Sequence, residues 1–254
     1  MRTLTVLLAC AFLAPALPSQ DSNHVSIGPE ASTHVRINGI RILPAPGKPF
    51  SGADSVDWTR TLEDGSVVAT HYDAKLARDS QGRIYRERVS RFPANSGQKS
   101  QVNEILVMDP VAHTQTTCVV VSRHCTVTGY HAPASVPPPR AVSFDDGKRS
   151  VSRESLGTDV IDDLNVVGTR ETVTISTGVE GNSQPLTSVE ESWYSPDLEV
   201  NLSITRKDPR EGTLVIHVVD LSRSEPDPAL FQVPANFVVA DARRPAKPEN
   251  DSTQ

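Results

Sequence analysis

The chain has 254 residues, with 25 Lys and Arg against 31 Asp and Glu, for a net charge of −6. That balance argues against nucleic acid or an anionic membrane surface as the main partner, since both reward positive charge. Twenty prolines beside six Phe, four Tyr and two Trp describe a loop-rich chain with a modest core.

Residues 1–20 read as a cleaved secretory signal. Arg2 gives a positive start, Leu4 to Leu17 is apolar except for Thr5 and Pro15, and small residues precede Gln20-Asp21-Ser22. The run is shorter than the roughly 20 residues a membrane helix needs. Cleavage after Ala16 or after Ser19 both fit, and Leu7-Leu8-Ala9-Cys10 offers lipidation at Cys10 as the weaker alternative. The mature chain is therefore expected to be periplasmic or secreted, with no transmembrane segment. Residues 21–48 form an N-terminal extension, 49–240 a single domain and 241–254 a polar, Pro-rich tail expected to be disordered.

Along the domain the dominant period is two. Val68, Thr70, Tyr72, Ala74 and Leu76 alternate with Val67, Ala69, His71, Asp73 and Lys75, the pattern of a half-buried strand. Glu63-Asp64-Gly65-Ser66 and Asp79-Ser80-Gln81-Gly82 bracket it as turns. Strand patterning continues at Arg83–Phe92 and Val102–Met108, spaced too closely for crossover helices, so an antiparallel meander follows.

Cys118 and Cys125 flank a turn-prone Ser122-Arg123 between two β-branched runs. In an oxidising compartment such a pair is expected to be a disulfide across a hairpin. A Cys–His metal site with His113 and His124 is the alternative, with a spacing that matches no familiar zinc pattern.

His131 to Arg153, with Pro133, Pro137, Pro138 and Pro139, reads as an exposed connection holding one short edge strand at Ala141–Phe144. Strands are then expected at Thr158–Ile161, Val166–Ser176, Thr187–Tyr194, Glu199–Lys207 and Thr213–Ser222. One helical turn at Pro228–Phe231, capped by Asp227, precedes an extended piece at Val233–Ala240. The fold class is all-β or a β-dominated α+β: a curled antiparallel sheet, an unclosed barrel, with little helix.

The segments Glu191-Ser192-Trp193-Tyr194-Ser195-Pro196-Asp197-Leu198, Asp208-Pro209-Arg210-Glu211-Gly212 and Arg223 to Pro234, with Pro49-Phe50-Ser51 and Arg78 to Arg83 in the first half, resemble a group of uncharacterised exported acidobacterial proteins. The resemblance runs over residues 49 to 239 and implies no activity. A remoter likeness is to lipoprotein-carrier and envelope-stress-sensor proteins, which implies an open barrel over an apolar cavity. A fold likeness alone does not assign a function.

The chemistry in the chain is sparse. Asp145-Asp146, Asp162-Asp163 and Glu190-Glu191 are adjacent pairs, and neighbours on a strand point to opposite faces, so none is an acid–base dyad. His71 and Asp73 share a strand face, but no nucleophile motif such as Gly-x-Ser-x-Gly is present. No P-loop, His-Glu-x-x-His or dinucleotide fingerprint occurs either, so neither cofactor nor metal is expected.

Arg83, Arg86, Arg88 and Arg91 form the densest basic cluster. Arg86 and Arg88 share a face, either as an anion- or headgroup-binding stripe or as charges that deter edge pairing. Tyr72, Arg86, Arg88, Trp193 and Tyr194 are the expected ligand-binding residues. The leading expectation is a non-catalytic protein that holds a lipid or lipidated partner in the concave sheet. The alternative is a cell-envelope interaction module with a packed core.

Overall fold

The computed structural model describes residues 39–133 and 142–243. The signal segment, the extension up to residue 38, Pro137 to Pro139 and the tail from residue 244 lie outside the described residues. Fourteen strands fill the rest: β1 (Phe50–Thr61), β2 (Val67–Arg78), β3 (Ile84–Val89), β4 (Phe92–Pro93), β5 (Val102–Asp109), β6 (Thr114–Val119), β7 (His124–Gly129), β8 (Val142–Asp145), β9 (Arg149–Ile161), β10 (Leu164–Ile175), β11 (Leu186–Ser195), β12 (Val200–Asp208), β13 (Gly212–Ser222) and β14 (Val238–Asp241). The single helical element among the described residues is one 3₁₀ turn, Pro228–Phe231, and Asp227 caps it by accepting from the Ala229 amide.

All strands belong to one sheet, ordered β14-β7-β6-β5-β3-β2-β1-β13-β12-β11-β10-β9-β8, with β4 paired to β2. The pairings are antiparallel except that β14 runs parallel to β7. No hydrogen bonds join the β14 edge to the β8 edge, so the sheet is open and the fold is all-β.

Local chemistry sets the hairpins. Asp79 accepts from the amides of Gln81 and Arg83 and from the Arg83 guanidinium, which closes the β2–β3 turn. Asp162 and Asp163 both take positive φ between β9 and β10, the backbone that a two-residue hairpin demands. Cys118 and Cys125 are cross-strand partners on β6 and β7, and they are disulfide-bonded.

Three segments depart from the sequence expectation. β9 begins at Arg149 rather than Thr158, so the end of the expected connection is strand. The edge strand β8 spans Val142–Asp145. The last extended piece shortens to Val238–Asp241.

The sheet curls, as sheets of more than about ten strands do. Arg78 on β2 donates to the Leu198 carbonyl, which precedes β12. β1 and β13 lie between those strands in the sheet, and flat strands three places apart would be about 14 Å apart. The curl buries one face. Phe50, Val56, Leu76, Ile84, Leu164, Val166, Val200, Leu202, Leu214 and Ile216 belong to one apolar cluster.

Residues 39–48 cross that cluster as a strap. Ile40 and Ile42 are buried in it, and Gly47 donates to the Ser80 carbonyl. A second, smaller cluster of Ala77, Tyr85 and Val107 packs under Phe231 of the 3₁₀ turn.

Candidate functional site

A sheet with one apolar face must bury that face against something. Here the strap covers only part of it. Trp58, Val89, Met108, Ile161, Trp193, Ile204 and Leu221 pack against the cluster but remain partly exposed. They form a rim around the buried centre.

Register explains the alignment. Tyr72 faces Val56, Val56 faces Ile216 on its other side, and Ile216 faces Ile204. Cross-strand partners point to the same face, so one apolar row runs over four strands. The parallel row of Thr70, Trp58 and Leu214 lies next to it. Thr70 Oγ1 is buried and has no hydrogen-bond partner among the described residues.

Polar groups interrupt this face at one point. Asp54 alternates with Val56, is 1% exposed, and accepts from the Ile40 amide at 3.2 Å and from Arg86 Nη2 at 2.9 Å. Its other oxygen, Oδ1, has no partner among the described residues. Burial pushes the Asp54 carboxyl up to about 6, against the pull of Arg86 and the Ile40 amide.

The five expected binding residues do not form one site. Tyr72 sits in the apolar row, where burial raises its hydroxyl pKa while Arg91 and Arg86 oppose the rise. Arg86 is committed to Asp54, and Arg88 to Glu104 at 2.8 Å. Trp193 lies over Gly168, where a Cβ would stand 2.7 Å from the indole. A bulge between Trp193 and Tyr194 breaks the alternation. Tyr194 instead lies within electrostatic reach of Glu199, Lys48 and Arg78, its hydroxyl pKa raised chiefly by burial.

The basic cluster contains a residue that sequence spacing did not single out. β4 pairs with β2 at His71–Phe92 and Thr70–Pro93. Continuing that register by one residue sets Arg91 opposite Tyr72. Arg91 is exposed and joins no ion pair among the described residues. The signal lay in Phe92-Pro93 returning to β2, which two residues are too short to reveal.

The remaining candidates are surface chemistry. His71 Nδ1 meets Asp57 at 2.9 Å, and its Nε2 lies 3.6 Å from Asp73, with all three side chains well exposed. Burial works against the imidazolium, and the two carboxylates outweigh it to raise the His71 pKa. Glu190 pairs with Arg206 and Glu191 with Arg170, while Asp145 and Asp146 cap the turn before β9. Among the described residues, no three His, Cys, Asp or Glu side chains converge as a metal site, and both cysteines are bonded. No described helix is long and apolar enough to cross a membrane.

No family model matches the chain, and no curated protein does. Among solved structures, LprF from Mycobacterium bovis is similar over 71% of this chain and 90% of its own, at 12% identity and a TM-score of 0.30. An outer membrane lipoprotein-sorting protein domain from Vibrio parahaemolyticus matches 73% of this chain and 89% of its own, at 8% identity and a TM-score of 0.27. A DUF1329 family protein from Desulfovibrio piger matches 73% and 90%, at 13% identity and a TM-score of 0.22. At these scores the likeness carries no argument about the chemistry of this chain.

Proposed function

We propose that the protein works outside the cytoplasm as a non-catalytic binder of an acyl chain, carried by a lipid or by a lipidated protein. The observation behind this reading is the apolar rim. Trp58, Val89, Met108, Trp193 and Ile204 flank a buried cluster that no second layer covers among the described residues beyond the strap. The chain would lie along the Tyr72–Val56–Ile216–Ile204 row. Arg91, opposite Tyr72 and without an ion pair among the described residues, would meet the anionic end, since a cation beside apolar surface suits a fatty acid or phospholipid. Arg86 and Arg88 would act through the fold, holding Asp54 and Glu104. The buried disulfide fits an oxidising compartment.

Native mass spectrometry with lipid extraction on the full exported chain, followed by titration with a fluorescent fatty acid, tests the reading. Co-purified acyl lipid and saturable uptake are expected. Trp58→Ala should weaken uptake about tenfold, the loss expected for one large apolar contact. Arg91→Gln should weaken binding of the free acid but not of its methyl ester. A clean apo mass together with no uptake would overturn the proposal and favour an interaction module with a packed core.

A further inference from the structure

The Asp208–Gly212 turn, one of the family-like signatures in the sequence, meets the apolar rim only through Trp58. It forms one wall of a cavity of about 360 Å³ whose lining includes Arg60, Thr61, Thr187, Lys207, Pro209 and Thr213. Thr213 alternates with the core residue Leu214, and Lys207 is its cross-strand partner. Both therefore stand on the sheet face opposite the apolar core, whereas Arg60 shares the face of Trp58 on β1, so the depression sits at the strand ends, beside the acyl-chain surface rather than within it.

The wall is held from three directions. Asp208, 8% exposed, accepts from the Arg210 amide at 2.8 Å and takes the Arg210 guanidinium at 3.0 and 2.8 Å on its two oxygens. The same guanidinium reaches Glu180, and Trp58 Nε1 donates to the Glu211 carbonyl at 2.8 Å. Gly212 has φ of +93°, and a Cβ there would stand 2.1 Å from the Thr59 carbonyl oxygen. No other residue could bring the turn so close to β1.

Charge within the cavity does not balance. Arg210 neutralises Asp208, whereas Arg60 and Lys207 form no ion pair among the described residues. Two cations without an ion pair and three threonines therefore line one depression in a chain of net charge −6, with the Thr187 hydroxyl also bonded to that of Thr174 at 3.0 Å. With Asp208 offset by Arg210, the remaining positive charge of the lining concentrates anionic ligands. A carboxylate has two oxygens and one charge, fewer than this set can engage. A phosphoryl group offers two charges at most and three terminal oxygens, which suits an Arg fork, a Lys point charge and hydroxyl donors. A volume near 360 Å³ lies at the small end of ligand sites.

We propose that this cavity binds a phosphoryl group on a small polar body, held by Arg60 and Lys207 with Thr61, Thr187 and Thr213 as neutral partners. The group could belong to a soluble phosphomonoester or to a phospholipid headgroup, and the experiment separates the two. The full chain is titrated with inorganic phosphate, glycerol 3-phosphate and glycerol while amide NMR shifts are followed. The same protein is then sedimented with phosphatidylcholine vesicles, with and without phosphatidic acid.

Saturable shifts at Thr187, Gly212 and Thr213 are expected with glycerol 3-phosphate and absent with glycerol. Lys207→Met and Arg60→Met should each weaken binding about tenfold, the loss of one charge-assisted contact. Lys99→Met, on an exposed loop, should leave it unchanged, and circular dichroism should show all three variants folded. Soluble binding alone identifies a free phosphomonoester. Vesicle binding that needs phosphatidic acid and is lost in Lys207→Met identifies a headgroup. Shifts that stay linear up to roughly 50 mM, far above the millimolar range of weak specific binding, with no vesicle binding, would overturn the proposal. So would an equal loss in Lys99→Met. Fatty-acid uptake should be the same in Lys207→Met, which keeps this result independent of the acyl-chain reading.

Discussion

The strap over the apolar face is fastened at two places by two buried charges, and the fastenings differ. At residues 43–48 the anchor is Arg78, 0% exposed, whose Nε donates to the Lys48 carbonyl at 3.0 Å and Nη1 to the Leu43 carbonyl at 2.9 Å. Its Nη2 donates to the Leu198 carbonyl, and its Cζ lies 5.0 Å from the centre of the Phe50 ring. Among the described residues no carboxylate forms an ion pair with it, and burial lowers its pKa to about 10, so it stays charged at neutral pH.

At residue 40 the anchor is Asp54, with one amide, one guanidinium contact and one oxygen unpartnered. A cation shared among carbonyls satisfies its neighbours. A half-satisfied carboxylate is held in place by the fold around it. The strap is thus firmly fixed at its C-terminal end and held under strain of solvation at its N-terminal end.

Removing the first anchor gives the largest expected effect. Arg78→Met keeps much of the stem but leaves three carbonyls without their donor, at about 1–3 kcal/mol for each group left unsatisfied. A loss of at least roughly 3 kcal/mol in urea unfolding is expected. A loss below about 1 kcal/mol would mean that the desolvation of Arg78 offsets its bonds, and the contrast with Asp54 would collapse.

The second anchor is read through pH. The Asp54 carboxyl titrates near 6 in the folded chain against 3.8 ordinarily, so between those values the folded state holds a proton the unfolded state has released. Stability from this group therefore falls as pH rises from about 4 to 6 and is level above that. The size is roughly 3 kcal/mol at most. Asp54→Asn should lack this fall, so that the variant gains on the parent between pH 4 and 7 in paired urea titrations. Parallel curves would show that Asp54 is ionised over the whole range.

The smallest effect tests the exposed margin of the strap. Lys48 Nζ meets Glu199 at 2.7 Å, with both side chains about a third or more exposed. Lys48→Met should change stability by less than about 1 kcal/mol, and the change should vanish in high salt. A larger, salt-resistant loss would place Lys48 beside Arg78 as a true fastening.

Much of this fold was legible in sequence because alternation and turn chemistry carry it. The row of Tyr72, Ala74 and Leu76, the Asp227 cap and the pairing of Cys118 with Cys125 each follow from local pattern. β9 was missed over Arg149–Gly157 because it has no apolar alternation. Its side chains are stabilised across the ladder instead, Arg153 with Glu171 and Glu154 with Arg170, and such pairs appear only once register is known. Asp54 and Arg78 occupy inward positions of β1 and β2, yet alternation gives the face and not the partner. Their burial depends on Ile40, Leu43 and Leu198, which are distant in the chain. Arg91 stands in the basic cluster of the sequence, but its place opposite Tyr72 was hidden for the same reason, since it rests on a two-residue strand.

The order of strands also determines how the molecule can be divided. β1 to β7 pair only with strands one or two places away in sequence, as do β8 to β13, except where Ser51 on β1 meets Ser222 on β13 and where β14 returns to β7. The sheet is therefore two meanders sewn along one line, and that line runs through Val56 and Ile216 at the centre of the core. Neither half owns a finished border there. A break in the chain between β7 and β8 would leave each piece displaying a long strand, apolar on one side, with an unpaired backbone edge, the kind of surface that invites promiscuous association.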